Sequence, residues 1–108
     1  MYEYKAIIKN VVDGDTIDVT IDLGFSIYHT IRLRLADIDT PELNSTILEE
    51  RERAKKSKMF VMQYLGKEVV INTHSKDKYG RYIASVWVNA HETINTLLVV
   101  EGLAVKYV

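Results

Sequence analysis

The strongest constraint on this chain is an alternation that runs through its first third. Ile17, Val19, Ile21 and Leu23 alternate with polar residues up to Gly24, and Ile31, Leu33 and Leu35 then alternate with Thr30, Arg32 and Arg34. A period of two marks strands that bury one face, so both segments are expected to be half-buried strands. The pattern also assigns chemistry to faces: whatever buries Leu33 and Leu35 sends Arg32 and Arg34 to the opposite side. Ahead of them, Tyr4 to Val12 is rich in Ile and Val and runs into Asp13-Gly14, a strand entering a tight turn. Pro41 removes a backbone donor, fixes φ and ends the third strand.

The period then changes. From Leu48 to Leu65 the charged positions lie mainly on one side, while Ala54, Ser57, Val61 and Leu65 recur at helical spacing, with Gly66 as the stop. Glu68 to Thr73 reads as a fourth strand and Tyr82 to Val88 as a fifth, with Trp87 packed in it. A short helix near Thr93 to Glu101 groups Ile94, Leu97 and Leu98 and ends at Gly102. Three strands, a helix, two strands and a helix is the order of an α+β chain dominated by a five-stranded barrel of the OB type, whose loops and one face take oligonucleotides.

Composition excludes several classes. At 108 residues the chain has the size of one domain, and 47% hydrophobic with 27% charged residues is a globular balance. With no cysteine there is neither a disulfide framework nor a thiolate metal site. The start, Met1-Tyr2-Glu3-Tyr4-Lys5, has no secretory pattern and no apolar run reaches membrane-spanning length, so a cytoplasmic protein without a membrane partner is expected, with a secreted one as the alternative. A net charge of -1 argues mildly against a strong non-specific nucleic-acid binder. Local basic clusters at Arg51 to Lys58 and Lys76 to Arg81, and the sign reversal that a bound cation brings, weaken that argument.

The candidate functional residues sit on turns. In Asp13-Gly14-Asp15-Thr16, hairpin chemistry accounts for Asp13 and Gly14 but leaves Asp15 unexplained. Asp39-Thr40-Pro41-Glu42 is either a proline-stopped turn or a pair of carboxylates aimed at one cation, and these residues alone do not separate the two. Arg34 is either half of a surface ion pair or a fork for phosphate oxygens. In Lys78-Tyr79-Gly80-Arg81 the alternatives are a solvated hairpin tip, or a phosphate-reaching arginine beside an aromatic that stacks on a base. His29, His74 and His91 have no ligand spacing, and there is no glycine-rich phosphate loop.

Taken together, Asp13-Gly14-Asp15-Thr16, the run Arg34-Leu35-Ala36-Asp37-Ile38-Asp39-Thr40-Pro41-Glu42, and Asp77-Lys78-Tyr79-Gly80-Arg81 resemble the thermonuclease (staphylococcal nuclease) family, in the family's order and near its spacing. Gly102-Leu103-Ala104 resembles it as well. The resemblance implies that residues 1–108 form a single nuclease domain, a monomer on an OB-type barrel that cuts DNA and/or RNA with Ca²⁺ and leaves 5′-hydroxyl and 3′-phosphate ends. It implies Asp15, Asp39 and the Thr40 carbonyl as calcium ligands. Glu42 would act on the attacking water, as base or as orienting group, and Arg34 and Arg81 would act on the phosphate. Lys78, Tyr79 and Tyr107 would contact substrate, while Asp13 only shapes its turn.

The chain departs from the family pattern in three ways. The loop after Glu42 is shorter, Asp37 stands where the family has an apolar residue or glycine, and Val108 falls before the family's long C-terminal helix. The competing expectation is a non-catalytic nucleic-acid-binding or protein-interaction module on the same barrel.

Overall fold

A computed structural model describes residues 2–106. Five strands close into a barrel in the order β1-β2-β3-β6-β5: β1 (Glu3–Asp13), β2 (Thr16–Asp22), β3 (Tyr28–Leu35), β5 (Glu68–Lys76) and β6 (Tyr82–Trp87). The helices are α1 (Leu48–Met62), between β3 and β5, and α2 (Ile94–Val100), after β6. The OB-type barrel with two helices expected from the periodicity is therefore present. Two strands of two residues each, β4 (Ile38–Asp39) and β7 (Val105–Lys106), pair with each other and were not anticipated.

Alternation explains the core. Ile17, Val19, Ile21, Leu33 and Leu35 point inward and are buried, with Ile71, Val86 and Leu98 among their core partners. In β1 the buried set runs Ala6, Ile8, then Val11, because the register against β2 slips between Ile8 and Asn10. Such a bulge inserts one residue, turns the pattern over and bends the strand, which helps a five-stranded sheet close.

Two apolar residues expected to face the core do not. Leu23 is 45% exposed because β2 stops at Asp22, whose carboxylate accepts from Gly24 N–H at 2.8 Å and starts the turn. Leu65 is 45% exposed because α1 ends at Met62. From there the chain tightens, with Tyr64 N–H bonding Val61 O and Leu65 N–H bonding Met62 O, until Gly66 leaves at φ 79°. The stripe that α1 buries is the narrow set Ala54, Ser57 and Val61, and Leu48, Met59 and Met62 stay exposed. α2 fits its expected ends: Thr93 caps Thr96 N–H at 3.0 Å, and Gly102, at φ 73°, closes the far end. Among the described residues no helix is long and apolar enough to cross a membrane.

Candidate active site

The turn between β1 and β2 supplies the first acid. Asp13 pairs with Thr16 across it, and Asp13 Oδ1 accepts from Asp15 N–H at 3.1 Å. Neither Gly14 nor Asp15 has positive φ, so the mirror-image hairpin turn that Asp-Gly usually signals is not the one formed. Gly14 is required for a different reason. A Cβ there would lie 2.7 Å from Ser57 Cβ and 3.0 Å from Thr40 Cγ2, so the absent side chain lets the turn seat between α1 and the Thr40 segment. Hairpin preference alone therefore gave an incomplete account of this residue.

Seating the turn there brings Asp15 to Arg34 and Thr40. Asp15 Oδ2 lies 3.3 Å from Arg34 Nη1 and accepts from Thr40 N–H at 3.3 Å, while Oδ1 accepts from Thr16 Oγ1 at 3.1 Å. Arg34 reaches the second acid with its other arm, Nη2 to Asp39 Oδ1 at 3.2 Å. One guanidinium, with its side chain only 19% exposed, thus ties both acids together. Burial pushes the Asp15 carboxyl up, but hydrogen bonding with Asp13, the Arg34 charge and the Thr40 and Thr16 donors outweigh it and hold Asp15 below the usual carboxylate range. Asp13 goes the other way, raised to about 6 by burial, then by its hydrogen bond with Asp15 and that neighbour's charge.

The hairpin after β5 supplies the second guanidinium. Asp77 organises it, taking Arg81 N–H at 2.9 Å and Tyr79 N–H at 2.8 Å on Oδ1, and Arg81 Nε at 2.8 Å on Oδ2. Burial pushes the Asp77 carboxyl up, but these backbone donors and the Arg81 side chain outweigh it and hold the group below its ordinary value. Tyr79 is 72% exposed, with Arg81 5.6 Å and Lys78 5.2 Å from its ring centre. A cleft of about 580 Å³ is lined by Arg34, Asp37, Lys78, Tyr79 and Arg81, so both expected phosphate-binding arginines open onto one space. Asp39 and Thr40 line a second cleft of about 430 Å³, with Glu50 and Arg53.

Glu42 stands apart from the other acids. It is exposed, and its backbone N–H approaches Glu50 Oε1 at 3.5 Å. Among the described residues no three His, Asp or Glu side chains converge as a metal cluster. What converges is two carboxylates beside the Thr40 backbone, a set of hard oxygens, with Asp15 held ionised. That donor chemistry fits calcium, which accepts carboxylate and carbonyl oxygens in a loose shell completed by water. Tyr107 lies outside the described residues.

One residue that sequence reasoning passed over, Asn95, and one whose role it left open, Asp37, are built into the site. Asn95 is buried in α2. Its Oδ1 accepts from Val86 N–H at 3.1 Å, and its Nδ2 donates to Ala36 O at 3.0 Å and Ala84 O at 3.1 Å. It therefore fixes the Ala36-Asp37 turn that separates Arg34 from Asp39. Its one sequence signal was an amide on the apolar side of a helix, which must find partners once buried. Asp37 holds that turn at φ 61°, a left-handed conformation that Asp tolerates better than most residues.

A model of the staphylococcal nuclease homologue family matches residues 32–108. The chain belongs to that family. The matched stretch carries Arg34, Asp39, Thr40, Glu42 and Arg81. Asp15 precedes it and is returned to the site by the β2–β3 pairing, in which Thr16 faces Arg34. Protein ParB of Escherichia coli is 30% identical over 113 residues, covering 97% of this chain and 58% of that protein. The micrococcal nuclease of Shigella flexneri is 31% identical over 113 residues, with 97% and 59% covered. The thermonuclease of Staphylococcus intermedius is 35% identical over 101 residues, with 91% and 56% covered. The chain thus spans less than two thirds of the length of these relatives.

Proposed function

We propose that this chain is a calcium-dependent phosphodiesterase that hydrolyses DNA and/or RNA with little sequence specificity, leaving 5′-hydroxyl and 3′-phosphate ends. The observation that carries this reading is Arg34, which grips Asp15 and Asp39 while lining the same cleft as Arg81. Nuclease names among the relatives add support.

Asp15, Asp39 and the Thr40 carbonyl would hold the calcium ion, and polarisation of a phosphoryl oxygen is the chemistry it would supply. Arg34 and Arg81 direct their free N–H groups at the phosphate oxygens, where negative charge grows as phosphorus becomes five-coordinate. Asp77 keeps Arg81 aimed by holding only its Nε, which leaves the outer nitrogens for substrate. Glu42, exposed to solvent, accepts the proton of the attacking water or orients it. The water oxygen bonds to phosphorus, the bond to the 5′ oxygen breaks, and that oxygen takes a proton from solvent. Tyr79 offers an open ring face to a base, which is tolerant of sequence.

The test is cleavage of single-stranded DNA in calcium and in excess chelator, comparing wild type with Glu42→Gln and Arg81→Ala. Each substitution is expected to lower kcat by about 100-fold, as for removal of one preorganised transition-state contact. Calcium-independent cleavage, or undiminished rates in both variants, would overturn the mechanism. A folded wild type that binds DNA without cutting it would leave only a binding module.

A further inference from the structure

Among the described residues, the Tyr28 to Arg32 stretch of β3 is an open strand edge, and that stretch is complementary to itself. Leu35 N–H bonds Asp15 O on the β2 side at 2.8 Å, and Ala36 N–H bonds Ala84 O on the β6 side at 2.8 Å. Backbone groups alternate in direction along a strand, so the N–H and C=O of Tyr28, Thr30 and Arg32 point toward the β6 side. Yet β6 pairs with β3 only along Leu33 to Leu35. From Tyr28 to Arg32 no strand among the described residues meets that edge. The corresponding open edge of β6 is covered: Val86 N–H is taken by Asn95 Oδ1, and Trp87 bridges to Thr93.

Natural sheets blunt open edges with lysines, prolines or bulges. Tyr28-His29-Thr30-Ile31-Arg32 has none of these, and its pairing with β2 runs without a register shift. The charge on Arg32 is already matched by Asp18, at 2.8 Å. We propose that this edge pairs with the same edge of a second copy of the chain, making an antiparallel dimer about a two-fold axis at Thr30.

The side chains along this edge suit a second copy. With Thr30 opposite Thr30, the outward N–H and C=O groups of Tyr28 on each copy meet those of Arg32 on the other. On the outer face the threonine side chains meet at the axis, a favourable cross-strand pair. Arg32, with a side chain 54% exposed, lies beside Tyr28, which is 64% exposed, in position for a guanidinium–ring contact. On the inner face His29 of each copy comes beside the half-buried Ile31 of the other. The hairpin tip beyond Tyr28, where Ile27 is 55% and Phe25 98% exposed, extends toward Tyr82 of the second copy. The two Arg34 residues then lie on one face of a continuous sheet, roughly 27 Å apart along the strand direction, at about 3.4 Å for each of the intervening residues. This differs from the monomer that the family resemblance implies and does not depend on the nuclease reading.

Sedimentation equilibrium over a wide concentration range tests it, with circular dichroism to show that each variant is folded. Wild type is expected at twice the 12.4 kDa of the chain. Thr30→Lys sets two like charges against each other on the axis and is expected to weaken the dimer by about tenfold or more, as is Thr30→Glu. Mixing the two variants restores association, because Lys then faces Glu. A monomeric wild type, a Thr30→Lys variant that associates like wild type, or a mixture no better than either variant alone would each overturn the proposal.

Discussion

Replacing Asn95 by alanine is the sharpest probe of how the scaffold holds the site. Three hydrogen bonds vanish, but their loss is unequal. Ala84 O keeps its bond from Ala36 N–H at 2.8 Å, so it remains satisfied. Val86 N–H and Ala36 O lose the only side-chain partner they have among the described residues, beneath a helix where Asn95 is 7% exposed. Each orphaned buried group costs roughly 1–3 kcal/mol, so the variant is expected to lose roughly 2–6 kcal/mol. That is a large part of the stability of a domain this size, commonly about 5–15 kcal/mol. Urea unfolding monitored by Trp87 fluorescence measures it. With a slope of about 1–3 kcal/mol/M, the midpoint should fall by at least about 0.7 M. The same variant frees the Ala36-Asp37 turn, so cleavage measured in the folded fraction should drop even though Asn95 touches no substrate. A loss below about 1 kcal/mol would refute the reasoning, since it would mean that water reaches both groups and the amide is dispensable.

Gly14→Ala is expected to cost about 1–3 kcal/mol and to lower activity, because both clashing neighbours are atoms at or next to Cβ that cannot swing away; thermal unfolding and single-turnover cleavage check it. In chelator, Asp13 makes its full stabilising contribution below its unfolded pKa, and that contribution is lost as pH rises through its folded value of about 6. Asp13→Asn keeps the acceptor for Asp15 N–H and should flatten the stability profile from pH 3.8 to about 6; an unchanged profile would refute the assignment. Asp37→Asn keeps a residue that tolerates φ 61° while removing an acid from the Arg34–Arg81 cleft, and should tighten single-stranded DNA binding by a few-fold in an anisotropy titration at low salt.

The parts of this fold that sequence made legible are those with sustained periodicity. Ile17 to Ile21 and Ile31 to Leu35 alternate over enough residues to fix both element and face. The pattern misled only where it continued past the end of its element, at Leu23 and Leu65. Strands β4 and β7 are two residues each, shorter than any period can register, and exist because the chain after α2 returns to Asp39. In the site, the acids were visible as turn residues, but their convergence was not. Asp15 and Asp39 are 24 positions apart in numbering, and only the β2–β3 register brings the turn holding Asp15 to Arg34. The positioning roles of Asp77 and Asn95 were not read for a different reason. An aspartate in a turn and an amide in a helix carry no mark of the backbone groups they serve until the neighbouring elements are in place.

The net charge of -1 had argued against a polyanion as partner, and the geometry shows why a whole-chain sum is the wrong quantity. Asp77 pairs with Arg81, Asp18 with Arg32, and Asp15 and Asp39 with Arg34, so these acids sit on the guanidiniums rather than forming a separate acidic field. Such pairing carries a mechanical consequence. A lone arginine in solvent samples many rotamers, and fixing it on a phosphate costs conformational entropy at the moment of binding. Arg34 is held through both terminal nitrogens and Arg81 through Nε, so much of that ordering is completed on folding. The acids that lower the net charge are thus the same groups that preorganise the cations, and under the proposed function the face they build would receive an anion more readily than its formal charge implies.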